Sequence, residues 1–157
     1  MNELLYPMIF KRKSFHVFKS YLPLLQEDLE EIKKAFSQFI PLIPDIKVRM
    51  RIVPKDETTC KRGEYCILLY SEKKEHFLKN IGYIGAQLNL WLAFNNIGVC
   101  WYGAGKVDYY REIDMGIFLC YLELCMEHEG LIFQKELCES NNIHSDERQL
   151  CAYYKIF

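Results

Sequence analysis

The run NIGYIGAQLNLWLAFNNIG, residues 80–98, restricts what this chain can fold into more than any other stretch of it. At helical spacing Ile81, Gly85, Leu88 and Leu92 fall in one stripe, and Ile84 and Trp91 broaden that stripe towards burial on every side. The pattern predicts a helix from about Glu75 to Asn96, ended by Gly98. Gly82 and Gly85 lower its intrinsic helix propensity, but their lack of a side chain lets another backbone approach closely.

Shorter elements can be read around this helix. Asn2 to Ile9 reads as a helix with Asn2 as its N-cap and a basic run at its C-terminal end. Between Gln26 and Phe39, Leu29, Ile32, Phe36 and Phe39 share one face, with Glu and Lys opposite, until Pro41 and Pro44 stop the helix. VRMRIV, residues 48–53, alternates apolar with cationic residues and reads as a half-exposed strand. YCILLY, residues 65–70, is continuously apolar and reads as a buried strand. A further helix is expected from about Asp114 to His128, capped by Gly130, and a closing strand over residues 150–157. The class is α+β: a central antiparallel or mixed sheet flanked by helices, with one long buried central helix. All five prolines lie at or before Pro54 and all eight glycines at or after Gly63. No linker-like or repeated segment separates the two regions, so residues 1–157 are expected to form one domain.

Composition narrows the function. Lys and Arg number 20 against 21 Asp and Glu, half of the residues are hydrophobic and 15% are aromatic, as in a packed globule. So even a balance argues against a general nucleic-acid binder. The apolar runs are too short to span a bilayer, and Lys11, Arg12 and Lys13 follow the first apolar residues where an export leader would put cations before them. The expectation is a cytoplasmic protein without membrane segments, whose seven cysteines are free thiols. Cys120, Cys125 and His128 share a predicted helix, but Cys120 lies about 140° from Cys125 around its axis. With no CxxC pair in the chain, buried cysteine is a better reading than a zinc site.

Two stretches remain that can carry chemistry. In FKRKSFHVF, residues 10–18, an extended backbone would aim Arg12, Ser14 and His16 the same way, with Lys13 beside them. A fork of donors, a point charge and a hydroxyl together suit a phosphate dianion; a solvated basic patch at a helix end is the plainer alternative. In GVCWYG, residues 98–103, a glycine-bearing turn after the buried helix can present backbone N–H groups to a flat polar ring system. The plainer alternative there is a helix cap.

Taken together, the two stretches resemble the FMN-dependent nitroreductase family. Chains of that family open with Arg-Arg-Ser-x-Arg-x-aromatic after a short helix, matched here by Arg12-Lys13-Ser14-Phe15-His16-Val17-Phe18. Their central helix carries Gly-x-x-x-Gln-x-x-Leu and then a Gly-x-x-x-Trp-x-Gly turn, to which GYIGAQLNL and GVCWYG are similar. DMGIFLCYLELCMEHEG and CAYYKIF are similar to the ends of a branch that shares the Gly-Tyr-Ile helix start and the Cys-Trp turn. The resemblance implies FMN as cofactor, its phosphate held by Arg12, Lys13, Ser14 and His16 and its ring near Trp101, Tyr102 and Gly103. It also implies NAD(P)H as reductant, a nitroaromatic, quinone or similar small-molecule electron acceptor, and a homodimer with flavin between the subunits.

Two departures matter. His16 stands where the family has arginine, so its phosphate contact weakens once the imidazole is neutral. The chain also passes almost directly from Gly105 to Asp114, without the family's intervening strand, basic loop and Pro-Ser-x-x-Asn segment. A second reading follows: a shortened, non-catalytic protein of the same fold that binds a phosphate-bearing ligand or a partner protein. A third, nucleic-acid binding through residues 11–13 with Lys47, Arg49 and Arg51, predicts strongly salt-dependent association and has no recognition motif behind it.

Overall fold

The structure is a computed structural model that describes residues 2–18, 22–102, 107–138 and 150–157. The amino-terminal segment forms two single-turn helices, α1 (Asn2–Leu5) and α2 (Met8–Lys11), where one helix was expected. Pro7 between them has no N–H to donate and caps the second. Helix α3 (Gln26–Phe36) starts where the Asp28 carboxylate accepts the N–H of Leu25 at 2.7 Å, with acidic residues in its first turn and Lys33 and Lys34 in its last.

Strands β1 (Val48–Pro54) and β2 (Tyr65–Ser71) form an antiparallel ladder in which Val48 faces Ser71 and Pro54 faces Tyr65. The alternation of β1 is as expected, with Arg49 and Arg51 outward. β2 is half-buried along most of its length and not the fully covered strand that its apolar run suggested. In a two-stranded ladder one edge of β2 has no neighbour among the described residues, and its side chains line a cavity.

The central helix is α4 (Phe77–Phe94), and it is buried almost continuously from Lys79 to Leu92. It separates two apolar clusters. One contains Leu5, Leu90, Leu119 and Leu124; the other contains Leu29, Ile32, Leu88 and Leu92. Burial on both sides is why its sequence shows so broad an apolar stripe. The left-handed position after this helix belongs to Asn96 (φ 59°), so Gly98 is not its terminator as the sequence suggested. Asn tolerates that conformation better than most side chains.

Helix α5 (Val107–His128) begins well before Asp114 and ends, as expected, at Gly130, whose φ is 71°. It crosses α4 at very short range. A Cβ at Gly82 would lie 2.0 Å from the carbonyl oxygen of Ile113, and one at Gly116 would lie 2.0 Å from that of Lys79. The expected close backbone approach therefore occurs at Gly82, with a glycine from each helix making room.

A second antiparallel ladder joins β3 (Phe133–Leu137), which sequence reading did not anticipate, to β4 (Ala152–Ile156). The described strands thus form two separate two-stranded sheets, where one central sheet was expected. A buried polar knot ties the second ladder to the helices. Glu123 accepts hydrogen bonds from Tyr83 (2.9 Å) and Tyr154 (2.7 Å) and an ion pair from Lys135 (3.0 Å). Burial pushes the Tyr83 and Tyr154 phenols above their usual range, and it pushes the neighbouring Cys120 thiol up to about 12.

Candidate functional site

The two chemistry-bearing stretches, residues 10–18 and 98–103, are far apart in sequence and meet in space. Ser14 pairs with Val99 in a parallel bridge, and the Phe15 N–H donates to the Val99 carbonyl at 3.1 Å. The extended backbone through this bridge sends alternate side chains in different directions. Phe15 and Val17 line a large cavity, with the Phe15 ring 3.2 Å from where a Cβ on Gly98 would be. Arg12, Lys13, Ser14 and His16 are not in its walls.

That cavity is about 830 Å³ and lies between α3, α4, the β1–β2 ladder and the segment after α4. Such a volume, with mostly apolar walls and a few polar groups, is in the range of a cofactor or substrate site. Phe15, Phe18, Tyr65, Trp101 and Tyr102 give it aromatic surface, and Thr58, Cys60, Arg62, Cys66 and Asn89 supply polar or thiol groups. Gly85 shapes the α4 wall. The Trp101 ring stands where a Cβ would be, with Cη2 at 2.5 Å from that point. Cys66 accepts or donates a 3.3 Å contact with the Thr58 hydroxyl, and burial pushes its thiol up.

The predicted phosphate residues divide into two directions. Arg12 donates from Nε to the Tyr121 hydroxyl of α5 at 3.0 Å. Burial raises the Tyr121 phenol, and the Arg12 guanidinium opposes that rise. His16 turns the other way, with Nδ1 3.1 Å from an Arg62 guanidinium nitrogen and 3.7 Å from Cys100 Sγ. Lys13 and Ser14 are exposed between them. On the other stretch, Trp101 and Tyr102 line the cavity, and Tyr102 Oη lies 3.5 Å from the Thr59 hydroxyl. Gly103 lies outside the described residues.

Two residues of this site were not found from sequence. Arg62 reaches both the cavity and His16 from the turn between β1 and β2, where Gly63 has φ 70°. The visible signal was a basic pair immediately before a turn glycine, Lys61-Arg62-Gly63. Asn89 carried a second signal, an amide inside an apolar helix.

The other groups that sequence reading weighed are engaged elsewhere. His128 stacks on Tyr6 with ring centroids 3.7 Å apart, and its Nδ1 lies 3.3 Å from Glu3. No disulfide joins any of the seven cysteines, and no group of three or more metal-ligating side chains converges among the described residues. No helix among the described residues is long and apolar enough to cross a membrane.

Residues 4–108 match the protein family described as "Putative TM nitroreductase", two thirds of the chain, from within α1 through all of α2 to α4 and the turn that follows. The chain belongs to that nitroreductase family, and membership supports a general oxidoreductase kind of function. No curated protein and no solved structure matches the chain.

Proposed function

We infer that this chain, folded as one domain over residues 1–157, is an FMN-dependent oxidoreductase of the nitroreductase type. The observation that carries the reading is the pairing of Ser14 and Phe15 with Val99 on the rim of the large cavity. It joins a donor-rich segment, suited to an anion, to an aromatic-walled space suited to a planar ring. The residues present fit such a group, because the volume, the aromatic walls and the Arg62 guanidinium, which also reaches His16, all meet at one place.

In this reading Lys13, Ser14 and His16 take the phosphate, joined by Arg12 through the guanidinium nitrogens that Tyr121 does not use. Phe15, Trp101 and Tyr102 bound the ring and keep water from it. Bound FMN supplies hydride chemistry at N5, with NAD(P)H as reductant and a nitroaromatic, quinone or similar acceptor as oxidant. The protein's part is binding, orientation and exclusion of solvent, so it needs no general base of its own. A homodimer in the cytoplasm completes the proposal, and the open cavity rim and the exposed Val17 and Leu22 beside it support a second subunit there.

One observation favours the non-catalytic reading: Arg12, the permanent charge of the segment, already has a partner in Tyr121. The two readings separate on the spectrum of the purified protein. An absorbance band near ~450 nm, released on denaturation and bleached by NAD(P)H, supports the enzyme. Colourless protein that cannot be reconstituted with FMN supports the binder.

A further inference from the structure

Four polar side chains of α4 are buried: Lys79, Asn80, Gln87 and Asn89. Three of them are employed within the fold. Lys79 pairs with Glu112 at 3.2 Å. Asn80 accepts the Ile43 N–H at 3.0 Å, and Gln87 both accepts the Ile40 N–H (3.2 Å) and donates to the Ile40 carbonyl (2.7 Å). These amides fasten the segment after α3 to the central helix.

Asn89 does not fit that pattern. It is 4% exposed, and its Oδ1 has no hydrogen-bond partner, the one buried side-chain oxygen or nitrogen in that state among the described residues. A buried amide left unmatched is costly, and native folds rarely tolerate one without a use. Asn89 stands in the wall of the large cavity, among Leu88, Leu92, Ile32 and Gly85. A polar group isolated in an apolar site is the usual means of fixing a ligand's orientation.

We propose that Asn89 is the polar anchor of this cavity and that the ligand it holds is a planar heteroaromatic ring whose edge carries an adjacent carbonyl and N–H. A primary amide turned about its last bond gives such an edge one donor and one acceptor. The aromatic walls take the ring faces, and the segment Arg12 to His16, with Arg62 beside it, takes an anionic tail. The imide edge of an isoalloxazine has this chemistry, and to that extent the inference rests on the flavoprotein reading. The carboxamide of a nicotinamide ring offers the same pair of groups.

The test titrates the wild type, Asn89→Leu and Asn89→Ala with FMN, riboflavin and nicotinamide mononucleotide, following flavin and tryptophan fluorescence. Thermal melts of the ligand-free proteins accompany the titrations. Leucine is close to asparagine in size and removes the unmatched oxygen. The leucine variant is expected to melt no lower than the wild type, yet to bind FMN and riboflavin about tenfold to a hundredfold more weakly. Equal losses for the two flavins place the contact on the ring and not on the phosphate. The opposite signs of the two effects are what a purely structural asparagine would not produce, and Asn89→Ala supplies the same comparison if the leucine variant misfolds.

Flavin binding that neither variant weakens refutes the anchor and leaves the flavoprotein reading standing. Nicotinamide mononucleotide binding by a wild type that takes no flavin, lost in the variants, upholds the anchor and overturns the flavoprotein reading. Binding of none of the three probes overturns both.

Discussion

Replacing Gly82 by alanine tests the close packing that positions every other element. Alanine is the better helix former by about 1 kcal/mol, so propensity alone predicts a stabilised protein. The structure predicts the reverse. The new Cβ would lie 2.0 Å from the Ile113 carbonyl oxygen and 2.9 Å from its carbon. Even weak C–H···O contacts need about 3.3 Å, so the α4 and α5 backbones would have to part by roughly 1 Å or more. α4 is held on its far side by the cluster around Leu88 and Leu92, and neither obstructing atom belongs to a flexible side chain. Overpacking of this kind costs about 1–3 kcal/mol and at times more, which with a rigid backbone obstacle puts the net loss near ~2 kcal/mol. For a domain of this size that lowers Tm by roughly 4–8 °C. Gly116→Ala, facing the Lys79 carbonyl at 2.0 Å, should behave alike. Gly85→Ala should cost less, because its obstacle is the outer edge of the Trp101 ring, 44% exposed and free to swing. Differential scanning calorimetry of the three variants gives the order directly. A Gly82→Ala protein that melts above the wild type, or a Gly85→Ala protein that melts below Gly82→Ala, would refute the packing argument.

Three further expectations follow from the same residues. Arg12→Ala combined with Ser14→Ala should loosen FMN by ~2–4 kcal/mol, from two lost hydrogen bonds to a charged group; unchanged affinity by fluorescence titration would remove both from the site. Glu123→Ala should cost about 1–3 kcal/mol in a urea titration, since it leaves the buried Tyr83 and the half-buried Lys135 and Tyr154 without their shared acceptor, whereas Glu123→Gln, which keeps an acceptor, should cost less. Stability should fall as pH rises from 9.0 towards about 12, because the unfolded chain releases the Cys120 proton that burial makes the folded chain keep. Tyr83 and Tyr154, raised by burial in the same way, add to that fall. Denaturation midpoints that stay level across the alkaline range would show that these groups are not buried as described.

How far the chain could be read depended on where each signal lay. α4 was legible because its apolar stripe is local and long, and the role of Gly82 followed from its lack of a side chain. The end of α4 was misread because Asn96, not the more obvious Gly98, takes the left-handed conformation. The early part of α5, VDYYREI, carries charged and aromatic residues with no clear stripe, so only tertiary packing reveals it as helix. β3 has the sequence FQKEL, and its partner β4 comes after a long interval, so no turn signal links the two. At the site, the two halves that are each local in sequence, residues 12–16 and 98–103, were found and were brought to one cofactor only through the family resemblance; the backbone pairing that joins them was not read. Arg62 and Asn89 gain their significance only from a cavity that the assembled fold creates, and no pattern along the chain encodes a cavity wall.

The central claim, that the cavity beside the Ser14–Val99 pairing is a flavin site, is tested most directly by a crystal structure of the protein soaked with FMN. The account predicts the phosphate against the segment Arg12 to His16 and the ring system between Phe15 and Trp101. Flavin bound at another surface, or the cavity closed by the protein's own side chains, would contradict it.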